Sequence, residues 1–193
     1  MLLLAPMLYE IVHQAQGVTL PSFKEKLRYW GERISALILI PMAIVFYLIL
    51  NKWVSGDWFR FLDYQQENWG NSFSYFATNI ANIVERVYSW EIRLAIGTWL
   101  PTAVIFFVAL AIILYSINRL PISYTAYSFA YLLISYSPSW LLSAPRYMLA
   151  LFPLFMGLAL LSQRYKRFEK VLDISLVLLL ALYSIFFFQS IVF

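Results

Sequence analysis

The sequence predicts an all-α fold: a polytopic transmembrane bundle of about six spans, the first one partial, with an amphipathic helical loop on the extracytoplasmic side. Three observations predict it. Of the 193 residues, 62% are hydrophobic and only 12% charged, with a mean hydropathy of +0.72. Soluble domains carry about 25% charged residues, so this chain has too few charges to cover a wetted surface. Apolar runs recur at lengths close to the roughly 20 residues that a helix needs to cross a core of about 30 Å. Basic residues gather in alternate loops, as they do on the cytoplasmic side of membrane proteins.

Composition also narrows the chemistry. The chain has no cysteine, which excludes disulfides, thiolate metal sites and a cysteine nucleophile. The net charge of +4 is loop charge; no basic run interleaved with aromatics marks a nucleic-acid surface. There is no internal repeat, low-complexity tract or glycine-rich phosphate loop, and no cofactor is implied. The whole chain reads as a single transmembrane domain.

The opening stretch, residues 1–12, is apolar but too short to span. No basic residue precedes it and no small-residue cleavage site closes it, so it is not a signal peptide. It reads as the last turns of a span that begins outside this sequence, with a short membrane-entering helix as the alternative. Spans are then expected at 34–53, 94–116, 121–137, 147–162 and 171–193. Pro41, Pro101 and Pro153 fall inside three of them and should kink each helix, because proline removes a backbone donor.

Charge sets the orientation. Lys24, Lys26, Arg28 and Arg33 precede the second span; Arg119 follows the third; Arg164, Lys166, Arg167 and Lys170 precede the last. If the runs alternate, these loops share one side, which the positive-inside rule makes cytoplasmic. The segment 54–93 and the C-terminus then lie on the extracytoplasmic side of a cell membrane.

Segment 54–93 is too polar to span yet rich in aromatics. Phe73, Phe76, Ile80, Ile83, Val84 and Val87 recur at steps of three and four, the mark of one helix face. Asn79, Asn82, Glu85 and Arg86 fall largely elsewhere, so an amphipathic helix on the membrane surface is expected. Trp53, Trp58, Trp69 and Trp90 suit an interfacial belt. Asp63, Gln65, Gln66, Glu67 and Asn68 form a polar cluster among these aromatics. Amides and carboxylates beside aromatic faces suit a sugar; a solvated helix turn gives the same pattern.

Further on, Ser143-Ala144-Pro145-Arg146-Tyr147 sits at the mouth of the fifth span. Arg146 there could hold a phosphate by a bidentate contact, or simply snorkel to headgroups. Tyr124, Ser128, Tyr131 and Ser135 make a hydroxyl stripe at helical spacing, either glue between helices or the wall of a lipid groove. His13, the one histidine, stands next to an interface without the companions a metal needs, and no metal site is expected.

Two of these stretches resemble the PIG-V (GPI mannosyltransferase II-like) family, in its bacterial branch. Phe61-Leu62-Asp63-Tyr64-Gln65-Gln66-Glu67-Asn68-Trp69 is similar to the family's outer-loop pattern of Phe, Gln and Trp. Ser143-Ala144-Pro145-Arg146-Tyr147, continuing to Leu151-Phe152-Pro153-Leu154-Phe155, resembles its Ser-x-Pro-Arg-Tyr stretch and following Phe-Pro span. The resemblance implies the C-terminal portion of a GT-C type glycosyltransferase. Such an enzyme moves mannose or a related hexose from a polyprenyl-phosphate carrier to a glycan or glycolipid acceptor on the extracytoplasmic side. It carries Asp63, Gln65, Gln66, Trp69, Arg146 and Tyr147 over as candidate substrate contacts. It supplies no catalytic residue, because the family's acidic motif has no counterpart here. The rival expectation is a non-catalytic membrane protein, a lipid or glycan transporter or an accessory subunit.

Overall fold

The structure is a computed structural model that describes residues 2–15 and 22–189. Most of these are helical, and the one β-type pairing among them is an isolated bridge between Phe73 and Pro138. The chain divides into two compact units, residues 1–71 and 72–193.

The first unit holds α1 (Leu4–Ala15), α2 (Phe23–Ser55) and α3 (Arg60–Trp69). The basic stretch expected as a loop before residue 34 is instead the start of α2. A helix of 33 residues is about 50 Å long, well beyond the hydrocarbon core, so its charged first turns can stand outside the apolar section. There Arg28 pairs with Glu32 one turn on, at 2.8 Å. The helix runs through Pro41 without a break. Its apolar residues, Leu39, Phe46 and Ile49 among them, stay exposed, as lipid-facing side chains do. Gly56, at φ 77°, closes α2 in the left-handed conformation and returns its N–H to the carbonyl of Lys52. α3 then packs on α2, with the rings of Tyr47 and Phe61 edge to face at 5.4 Å.

The second unit holds α4 (Phe76–Ser89), α5 (Ile92–Ser116), α6 (Ile122–Ser135), α7 (Ala144–Ala150), α8 (Phe152–Arg164) and α9 (Lys166–Phe188). α5 is its centre, touched by α4, α6, α7 and α8. Ala103, Phe106, Ala109, Ile112 and Ile113 are buried on it at helical spacing. Gly157 lets α8 approach closely: a methyl group there would lie 2.5 Å from Ile112 Cγ2 and 2.6 Å from Ser116 Oγ.

Among the described residues, three helices are long and apolar enough to cross a membrane: α2, α5 and α9. Counting α7 and α8 as one broken crossing makes four; the two are bent by 78°. The expected run 147–162 is therefore interrupted, and the break falls at Leu151, before Pro153 rather than at a kink within one helix. That is where proline belongs, since its missing N–H is an orphan in a first turn. The run expected at 121–137 is a helix of 14 residues and α1 has 12, both short of a full crossing. Residues 190–193 of the last expected span lie outside the described residues; the helix itself is Lys166–Phe188.

Segment 54–93 is largely helical, as α3 and α4. The expected face of α4 needs two corrections, the first being that Phe73 lies ahead of the helix, in the isolated bridge, and is exposed. Ile83 is buried as predicted, but Asn79, expected on the polar side, is only 4% exposed. Its amide Nδ2 donates to the carbonyls of Tyr136, Ser137 and Pro138 at 3.0, 2.9 and 3.0 Å. Its Oδ1 accepts from the Ser74 hydroxyl at 2.7 Å. The helix end of α6 leaves carbonyls without intrahelical donors, and a side chain from another element meets them. A polar residue is buried here because the backbone needs it.

Candidate functional site

The second unit contains a cavity of about 510 Å³. One wall is the start of α5, from Gly97 to Ile105; a second is Leu142, Ser143, Pro145 and Arg146; the third is Leu179 and Tyr183 of α9. Most of this lining is aliphatic. The polar atoms come from Thr98, Ser143, Arg146 and Tyr183.

The wall on α5 is irregular for a reason visible in the sequence. Ala95–Trp99 is a π-helical segment, in which the N–H of Leu100 reaches back five residues to the carbonyl of Ala95. In that register the next donor, for the carbonyl of Ile96, is residue 101. That residue is a proline and has no N–H. The Tyr183 hydroxyl donates to the Ile96 carbonyl instead, at 3.2 Å. Pro101 thus acts through a change of helical register, which is a common feature of functional sites. One turn on, the Thr102 hydroxyl donates to the carbonyl of Thr98 at 2.7 Å. The Thr98 side chain is only 5% exposed and its own Oγ1 has no partner.

Arg146 stands on the short helix α7 and is exposed. Its Nη2 donates to Ser143 Oγ. Among the described residues no carboxylate forms an ion pair with it, so its remaining guanidinium donors face the cavity rim unpaired. The segment is pinned from α6: the Tyr131 hydroxyl donates to the carbonyl of Tyr147 at 2.8 Å. Tyr147 itself is exposed and is not part of the lining. Ser128 and Tyr131 of the hydroxyl stripe on α6, and Tyr136 just past it, are spent inside the fold. Ser128 donates back to the carbonyl of Tyr124 at 2.7 Å, and the Tyr136 hydroxyl donates to the carbonyl of Thr102 at 2.8 Å. A family-model scan, a search of characterised proteins and a search of solved structures find no match to this chain.

The other expected contacts belong to the first unit. Asp63, Gln65, Gln66 and Trp69 all lie on α3, where every side chain except Arg60 and Phe61 is exposed. Asp63 pairs with Arg60 at 3.3 Å, and Glu67 pairs with the same arginine at 3.3 Å. A hydrogen bond to Tyr64, then the charge of Glu67, hold the Arg60 guanidinium above its ordinary pKa. Gln65 Oε1 accepts from the Asn71 amide at 3.2 Å. The carboxylates of this cluster are therefore engaged with one another's partner, as in a solvated helix face. Of the six expected contacts, the structure joins Arg146 to a cavity.

A second cluster was not legible as a site. Arg86, near the end of α4, has its guanidinium carbon 4.5 Å from the ring centre of Trp99, 5.2 Å from that of Trp140 and 5.5 Å from that of Trp90. Arg86 and Trp90, which caps the end of α4, are four residues apart, a spacing the sequence does carry. Trp99 and Trp140 come from far along the chain, and nothing local announces them.

Proposed function

We propose that this chain binds the lipid-phosphate side of a membrane glycosyltransferase reaction. In this reading the donor is a polyprenyl-phosphate sugar, of mannose or a related hexose, as the PIG-V-like stretches imply. The observation that carries the reading is the cavity: an aliphatic hollow of about 510 Å³ with an unpaired arginine at its rim. An isoprenoid chain needs the aliphatic wall, and its phosphate needs the arginine. During transfer the bond between the sugar C1 and the phosphate oxygen breaks, and its electron pair stays on the phosphate. Arg146 stabilises that growing charge. The acceptor hydroxyl forms the new bond to C1 and gives its proton to a base. No carboxylate lines the cavity, so the proposal assigns that base to none of its lining residues.

The same proposal includes the topology. α2, α5 and α9 are full crossings, α7 and α8 a broken one, and α1 and α6 shorter crossings. The basic segments face the cytoplasm, and Arg146 and the C-terminus face outward. Asp63, Gln65, Gln66, Trp69 and Tyr147 remain candidate contacts for the sugar or the glycan acceptor.

The test is binding of a short-chain polyprenyl phosphate to the purified chain in detergent. Saturable binding that weakens at least tenfold in Arg146→Ala, with the fold retained, is the expected result. Absence of binding, or equal affinity in a folded variant, would overturn the proposal. Binding without any sugar transfer in membranes supplied with polyprenyl-phosphate mannose would favour the non-catalytic reading.

A further inference from the structure

The Arg86 cluster is chemically incomplete. Its guanidinium is half-buried and lies over three indole rings, with Trp99 nearest at 4.5 Å. The rings fix one another: Trp90 meets Trp99 edge to face at 5.3 Å, and Trp99 meets Trp140 at 5.8 Å. Aromatic faces stabilise the charge of a guanidinium but accept nothing from its in-plane N–H groups. Among the described residues, no hydrogen bond or ion pair takes those donors. Burial holds the Arg86 pKa below its ordinary value, and Glu85, next in sequence, offsets part of that through space without pairing. The C-terminal end of α4 offsets part of the charge, but it gives the N–H groups no acceptor. Trp99 adds a second unused donor. It is only 1% exposed, and its Nε1–H has no partner.

Buried donors of this kind are ordinarily paired. A cation with free planar donors, beside another unused donor and with no carboxylate paired to it among the described residues, is built to receive an anion. The planar fork suits a phosphate oxygen pair better than a point charge does. Tryptophans also concentrate where membranes present phosphate headgroups. We propose that Arg86, held by Trp90, Trp99 and Trp140, is a binding site for a phosphate group, separate from the one proposed for Arg146.

The experiment uses the purified full chain in nonionic detergent and follows tryptophan fluorescence during titration. The probes are dioctanoyl phosphatidic acid, dioctanoyl phosphatidylcholine and inorganic phosphate. The expected result is a saturable change with phosphatidic acid, at least tenfold weaker with phosphatidylcholine. Competition by inorganic phosphate identifies a site open to the free ion. Failure to compete identifies a headgroup site; either supports the proposal. Arg86→Gln should lose at least tenfold in affinity, and Arg86→Lys several-fold, since it keeps the charge and loses the fork. The component of phosphatidic acid binding that Arg86→Gln removes should persist in Arg146→Ala, whose own loss is confined to the cavity. Absence of saturable binding, or unchanged affinity in folded Arg86→Gln, overturns the site. If Arg86→Gln does not fold, unchanged affinity in folded Arg86→Lys overturns it as well. Loss of that Arg86-dependent component in Arg146→Ala would move the anion to the cavity and overturn this proposal while leaving the other standing.

Discussion

The hydroxyl of Tyr183 donates to the carbonyl of Ile96 at 3.2 Å, joining α9 to the π-helical start of α5. Proline at 101 removes the backbone donor that this bond replaces; α9 also packs on α8, although none of its residues is buried. Tyr183→Phe removes the donor and leaves a carbonyl without a backbone donor in the π register. A single hydrogen bond contributes about 0.5–1.5 kcal/mol, so the thermal midpoint should fall by roughly 1–6 °C. Circular dichroism melts in detergent measure this. An unchanged midpoint would mean that the π register is held without the tyrosine.

Asn79 gives a sharper contrast between two substitutions. Its amide nitrogen serves three carbonyls, of Tyr136, Ser137 and Pro138. Asn79→Ala takes that donor from all three, leaving the Ser137 carbonyl the backbone N–H of Ser74, and should cost about 2–4 kcal/mol. Asn79→Asp has almost the same shape, yet it puts an acceptor where a donor stood. At neutral pH it should be the less stable of the two. Its carboxyl, facing carbonyls in a buried place, will have a folded-state pKa above the ordinary value of about 3.9. Stability is then greatest below that ordinary value and declines as pH rises toward the folded-state pKa. Melts of both variants across acid pH test the order and the slope. An aspartate variant more stable than the alanine at neutral pH would reverse the assigned amide orientation.

The same residue shows where sequence reading stops. The all-α class and the apolar helices α2, α5 and α9 were legible, because both follow from run length and hydropathy. The helix α4 was legible from its spacing as well, Ile83 included. Asn79 was not, since its partners lie 57 to 59 residues away and periodicity carries no such information. The register of α5 hides similarly: Pro101 was visible, but the π segment ahead of it depends on packing with Tyr183. Arg146 stood out through its local motif, whereas Thr98 did not, because an isolated threonine in an apolar run gives no signal. The Asp63 cluster was conspicuous for the opposite reason: exposed polar residues show in any sequence, and here they pair with Arg60.

Gly157 tests the packing of α8 on α5. A methyl group there would stand 2.5 Å from Ile112 Cγ2, closer than carbon atoms tolerate. Overpacking of this kind costs about 1–3 kcal/mol, so Gly157→Ala should lower the midpoint and Gly157→Leu should prevent folding. Ile112→Ala removes the obstructing methyl. Combined with Gly157→Ala, it should cost less than the two single changes added together. Simple additivity in that double-mutant cycle would show that the helices part here without strain.

Thr98 separates the needs of the fold from the needs of a ligand. Its side chain is 5% exposed, its hydroxyl oxygen has no partner, and it lines the cavity. A buried hydroxyl without a partner costs the folded state about 1–3 kcal/mol. Valine keeps the shape and discards the hydroxyl. Thr98→Val should therefore raise the thermal midpoint, by roughly 2–4 °C for a gain of about 1 kcal/mol. If that hydroxyl is kept to meet the phosphate or sugar of a bound lipid, affinity for a polyprenyl phosphate should move the other way. A lost hydrogen bond of about 1 kcal/mol is a roughly five-fold weakening. Both quantities come from one preparation, melted with and without the lipid. A lower midpoint in the absence of lipid would mean that the threonine already has a partner in the folded protein. A higher midpoint with unaltered affinity would leave Thr98 outside the binding site, and the polar rim of the cavity would then rest on Arg146, Ser143 and Tyr183.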